Sequence, residues 1–143
     1  MIRFACLLLA SMLAIAGSAS GAYAADPVAV RFGDTGVCGS DKVLNRITER
    51  FGYQVRHVPH LPQVAIADFY RVQEVRHLPR RPDWPIDRLY CQAKATLSDG
   101  RSSDVYYLIE WPMGFVGIGG NVEFCVSGFD RWNVYGGRCR SLR

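Results

Sequence analysis

Lysine is nearly missing from this 143-residue chain, which has two lysines against fifteen arginines, and histidine is scarce at three. No C-x-x-C pair occurs, which removes the usual zinc and dithiol-redox arrangements. No G-x-S-x-G elbow surrounds a serine; Ser127 lies in CVSGF, without the strand-to-helix context that a nucleophile elbow needs. The glycines of GFVGIGG (114–120) lack the Lys-Ser/Thr of a phosphate loop, and strand-like rather than helical sequence follows them. Internal repeats and low-complexity tracts are absent. After residue 24 no apolar run approaches the roughly 20 residues of a membrane-spanning helix. No cofactor and no metal site is expected.

At the start of the chain, Arg3 precedes an apolar run of 13 residues, Phe4 to Ala16, and small residues lead to Ala22-Tyr23-Ala24. That order is the order of a secretory signal, and cleavage is expected between Ala24 and Ala25. The run is too short to span a bilayer, so a protein without a membrane span after signal removal, periplasmic or secreted, is the expected product. Only Arg3 among the charges leaves with residues 1–24, so the formal balance of +4 becomes +3. Cys6 leaves too, and Cys38, Cys91, Cys125 and Cys139 remain. An even set in a small exported domain reads as two disulfides, with three possible pairings. Of these, Cys125–Cys139, closing a short loop, with Cys38–Cys91, tying a helix to a sheet, is favoured.

Residues 25–39 carry Pro and Gly and read as an irregular lead-in, and residues 40–143 as a single domain. Ser40 is placed to cap a helix over 41–51, with Val43, Leu44, Ile47 and Phe51 on one stripe and Gly52 as its C′ residue. Thereafter the period falls to two. A short strand over Tyr53–Val58, a long bulged strand over Val64–Leu78 and a proline-rich loop over 79–85 are expected. Leu89, Cys91, Ala93, Ala95 and Leu97 alternate with polar residues, Asp99-Gly100 marks a turn, and Val105, Tyr107, Ile109 and Trp111 alternate on the return. A strand over Val122–Ser127 and a second hairpin about Gly136-Gly137 complete the list. One helix followed by antiparallel strands predicts an α+β fold, the helix packed on the sheet as in a cystatin-like roll.

In LYCQAKATLSDG, VYYLIEWPMGFVGIG and NVEFCVSGFDRWNVYGGRCRSLR the chain resembles small exported bacterial proteins of uncharacterised function that share an EFCVSGFDRW-type motif. The resemblance covers roughly residues 35–143 and implies a periplasmic location. It transfers no catalytic residue.

The candidate chemistry is sparse. His57 and His60 have H-x-x-H spacing, but Pro59 bars a helical turn between them and an extended chain points them apart, so they do not read as metal ligands. His57, Glu74, Arg76 and His77 are the residue types of a phosphodiester hydrolase. On a regular strand Glu74 and Arg76 share one face and His77 the other. Arg76, Arg80 and Arg81 with Trp84, and Arg131, Arg138, Arg140 and Arg143 beside Trp132, form two candidate basic patches. Phe115 and Ile118, in the loop from Met113 to Asn121, are candidate contact residues or core cover. A pI of 8.9 falls short of the usual nucleic-acid-binding domain, so an envelope protein or an anionic envelope polymer is the expected partner. The expected function is a non-catalytic binding or interaction module. The alternatives are a small secreted hydrolase acting on phosphodiesters and a secreted enzyme inhibitor.

Overall fold

A computed structural model describes residues 35–112 and 120–143. The expected signal 1–24, the lead-in 25–34, and residues 113–119 with Phe115 and Ile118 lie outside the described residues. The last residues of the expected irregular lead-in form one helical turn, α1 (Thr35–Cys38).

The main helix, α2 (Asp41–His57), is longer than the stretch 41–51 read from the sequence. Its buried residues are Val43, Ile47, Phe51 and Val55. The four-residue spacing therefore runs straight through Gly52, which is a helix-interior residue and not a C′ cap, and Tyr53–Val58 forms no strand. Burial of Val55 outweighs the roughly 1 kcal/mol by which glycine disfavours a helix relative to alanine. Ser40 sits at the N-cap with extended backbone, but its hydroxyl makes no capping bond.

Among the described residues four strands follow: β1 (Ile66–Leu78), β2 (Asp87–Leu97), β3 (Ser102–Trp111) and β4 (Asn121–Val126). They form one antiparallel sheet in the order β1-β2-β3-β4. The β2–β3 hairpin turns where expected, with Gly100 in the left-handed region at φ 82°. Leu89, Cys91, Ala93, Ala95 and Leu97 from β2 face α2, together with Val105, Tyr107 and Ile109 from β3 and Val122, Phe124 and Val126 from β4. Phe51 meets Phe129 edge-on, the ring centroids 4.9 Å apart. The Tyr107 hydroxyl crosses this core and donates to the Cys38 carbonyl at 2.9 Å. Both favoured disulfides are present, Cys38–Cys91 joining α1 to the central sheet and Cys125–Cys139 joining β4 to the C-terminal segment.

The two sheet edges differ. Along β4, successive-turn side chains of α2 bind carbonyls: Arg46 to Gly120 at 3.4 Å, Arg50 to Val122 at 2.7 Å and, past the strand end, Gln54 to Phe129 at 3.0 Å. β1 has no such cover from α2; its register slips between Ile66 and Asp68, between Tyr70 and Gln73, and between Glu74 and Arg76. Arg71, inside the second slip, has φ 52°. Bulges and charges of this kind blunt a free edge.

The expected second hairpin does not form. Residues 129–139 are turns, ending in a 3-10 turn, η1 (Arg140–Leu142). Asn133, Gly136, Gly137, Arg138 and Cys139 all have positive φ, which breaks the extended geometry a strand requires. Drawn back by the Cys125–Cys139 bridge, the segment lies over the face of the sheet opposite α2, where Cys139 and Leu142 bury Tyr90 and Leu108. Among the described residues no helix is long and apolar enough to cross a membrane.

Candidate functional site

The face of the sheet away from α2 gathers the basic residues. Strand alternation sends Tyr90, Gln92 and Lys94 of β2 and Asp104, Tyr106, Leu108 and Glu110 of β3 to that side, because their neighbours Leu89, Cys91, Ala93, Val105, Tyr107 and Ile109 fill the core. Arg76 pairs with Tyr90 across β1 and β2, and its guanidinium carbon lies 4.0 Å from the centre of the Tyr90 ring. From the C-terminus, Arg143 places its guanidinium 4.8 Å from the centre of Tyr106 and donates to the Arg138 carbonyl. Arg88 lies 4.8 Å over Trp84. Each contact is a cation against the electron-rich face of a ring.

The charge balance across this face is uneven. Arg88 forms an ion pair with the buried Glu110 at 2.9 Å, and Lys94 with Asp104 at 2.7 Å. The Asp104 hydrogen bond and charge raise the Lys94 pKa above its ordinary value of 10.5. Among the described residues, Arg76, Arg131, Arg138, Arg140 and Arg143 have no carboxylate within 4.0 Å. Residues 131–143 contain four arginines and no Asp or Glu.

The candidate hydrolytic residues are not assembled in this way. Register slippage between Glu74 and Arg76 puts Glu74 opposite Cys91 and His77 opposite Leu89, both on the α2 side, while Arg76 stands opposite Tyr90 on the other. The expected sharing of a face by Glu74 and Arg76 is thus reversed by a bulge. His77 lies 3.7 Å from Asp87, and one Glu74 oxygen, Oε2, is buried with no hydrogen-bond partner among the described residues. His57 occupies the last turn of α2, stacked on Tyr53 at 3.8 Å with its Nδ1 2.7 Å from the Tyr53 carbonyl. Gln54, on the preceding turn, reaches Phe129 beyond the Val126 end of β4, whereas the ladder aligns His77, Leu89, Ile109 and Val122 near the other end. His57 and His77 therefore sit toward opposite ends of the sheet. Among the described residues no group of three His, Cys, Asp or Glu side chains is placed to hold a metal ion.

The remaining candidates fall in two places. Arg80, Arg81 and Trp84 occupy the loop between β1 and β2, where the Arg80 amide donates to Asp87 at 2.8 Å and Arg81 and Trp84 exchange backbone hydrogen bonds. Trp132, 65 % exposed, stands at the rim of a shallow groove of about 340 Å³ between α2 and the C-terminal segment, with Tyr53, Phe129, Val134 and Tyr135. Charge and aromatic content in the sequence point to the arginines and to Tyr90 and Tyr106 separately, without pairing Arg76 and Arg143 with these rings. Only the cross-strand pairing brings those rings beneath them. No family model, curated protein or solved structure matches the chain.

Proposed function

We propose that this chain is a non-catalytic exported binding module that holds an anionic partner of the cell envelope on the outer face of its sheet. One observation carries the reading: Arg76 and Arg143 are seated against the rings of Tyr90 and Tyr106 with no carboxylate of the described residues within 4.0 Å, while Glu110 and Asp104 on the same face are matched to Arg88 and Lys94. A guanidinium seated on a ring loses little further freedom on binding and keeps its N–H edges for an incoming oxyanion. Scattered solvated arginines have neither property. The separation of His57 from His77, and the division of Glu74 and Arg76 between faces, leave the four residues of the hydrolase reading apart. Two disulfides suit an oxidising compartment outside the cytosol.

The test is retention of the purified protein on isolated cell-envelope material. Wild type is expected to bind, and the double variant Arg76→Gln/Arg143→Gln to lose about tenfold or more in affinity, consistent with two fewer ionic contacts. Equal retention of both proteins would remove the outer face from the function.

A further inference from the structure

Resting on that reading, we infer that the partner is a polymer carrying phosphate groups, gripped by Arg76 and Arg143 with Arg138 and Arg140 continuing the cationic track. Tyr90 lies opposite Leu108, and Tyr106 opposite Gln92. The two tyrosines are therefore diagonal neighbours on adjacent strands, about 7–8 Å apart. Their guanidiniums, seated on these neighbouring rings, form a pair of cationic positions that successive oxyanions of one chain can occupy. A planar carboxylate offers two oxygens to one fork in its own plane, whereas a phosphate offers oxygens in several directions and accepts two forks of different orientation.

The same surface disfavours two other partners. A protein interface needs a desolvated apolar centre. Here the apolar residues at the centre of the face, Tyr90, Leu108 and Leu142, are each at most 9 % exposed and are covered by the C-terminal segment, whereas the exposed Leu78 and Trp84 lie at one end, beside Arg88. A single-stranded nucleic acid needs free aromatic faces on which its bases stack. The ring faces of Tyr90 and Tyr106 are occupied by Arg76 and Arg143. Around Tyr90 and Tyr106 the face offers positive charge and N–H donors. The C-terminal segment adds Arg138, Arg140 and Arg143, none of which has a carboxylate of the described residues within 4.0 Å. A chain of repeated phosphates complements that distribution better than an isolated ion.

The experiment measures binding of the purified, disulfide-intact protein to inorganic polyphosphate, to poly-glutamate of matched charge and to single-stranded oligodeoxythymidylate. Polyphosphate is expected to bind about tenfold or more tighter than poly-glutamate. Its affinity should fall about 10–100-fold between 50 and 200 mM salt, as three or four ionic contacts require. Arg76→Gln and Arg143→Gln should each weaken it, while Arg101→Gln, at the hairpin turn and paired with Asp99, changes the net charge equally and should not. Near-ultraviolet circular dichroism verifies that each variant keeps its fold. Poly-glutamate binding as tightly as polyphosphate overturns the phosphate assignment and leaves the anionic-partner reading standing. DNA binding tighter than polyphosphate overturns it in favour of nucleic acid. Equal weakening by Arg101→Gln overturns the placement of the site. Failure to bind any of the three polymers overturns the inference, and the envelope-retention assay then decides the broader reading separately.

Discussion

The two faces of this sheet are built from the same strands yet are held by different means. Toward α2 the contacts are largely apolar: Ile47, Phe51, Leu89, Ala95, Val105 and Tyr107 are fully buried. On the other side a single segment without regular strand pairing covers a small cluster of Tyr90, Leu108, Cys125 and Leu142, and the rest of the surface is arginine, ion pairs and ring edges. A helix with a four-residue apolar stripe covers its own sheet chiefly by burial, with the Cys38–Cys91 bridge and three side-chain hydrogen bonds added to it. A segment of turns with five positive-φ positions has no such stripe and needs a covalent tie. Stability resides on the first face, leaving the second free to carry uncompensated charge.

Removing the disulfides tests that division most severely. Cys38–Cys91 closes a separation of 53 residues and Cys125–Cys139 one of 14. Loop entropy assigns about 4 kcal/mol to the first and about 3 kcal/mol to the second. In urea unfolding, Cys38→Ala/Cys91→Ala should therefore lose more than Cys125→Ala/Cys139→Ala. Proteolysis of the second variant should cut first within residues 129–143, with the hairpin still protected. Global unfolding of that variant alone would break the contrast between the faces.

A smaller loss is expected from Tyr107→Phe, which leaves the buried Cys38 carbonyl without its donor. About 1–3 kcal/mol should go, measured at neutral pH. Burial also pushes the Tyr107 phenol above its ordinary value of 10.0. The sign follows from proton counts. Below pH 10 both folded and unfolded chains keep the proton, and the contribution is complete. As pH rises past 10 the unfolded chain ionises first, so stability falls until the folded phenol ionises as well. Tyr107→Phe should flatten that alkaline decline. Tyr135, raised chiefly by burial and next by Glu123, should contribute less of it. An alkaline limb unchanged in Tyr107→Phe would place the ionising group elsewhere.

The mildest change runs in the opposite direction. Gly52→Ala should stabilise by about 0.5–1 kcal/mol, because a helix-interior glycine is replaced by the best helix former. The added Cβ meets only the Arg56 guanidinium, at 3.2 Å, and that flexible side chain can yield. Destabilisation in thermal melts would mean that the helix near Gly52 packs under a constraint its backbone does not reveal.

Much of this fold is legible from residue order. The β2–β3 hairpin follows from strict alternation about Asp99-Gly100, and four cysteines spaced as they are suit the two bridges observed. The end of α2 is hidden because Gly52 resembles a stop, although Val55 continues the spacing of Val43, Ile47 and Phe51. The faces of β1 cannot be read from alternation, since its register slips and Arg71 turns left-handed. Gly136-Gly137 resembles a hairpin turn, but the left-handed Arg138 and Cys139 beside it have no sequence signature. Of the site, charge is visible in the letters. The rings beneath Arg76 and Arg143 depend on pairing between residues far apart in the chain.

The three α2 side chains that occupy carbonyls along and beyond β4 also set the polarity of any assembly. At that margin α2 already binds the Val122 carbonyl inside β4 and the Gly120 and Phe129 carbonyls flanking it, whereas the bulged β1 receives no such bond from α2, so an added strand would meet different competition at the two edges.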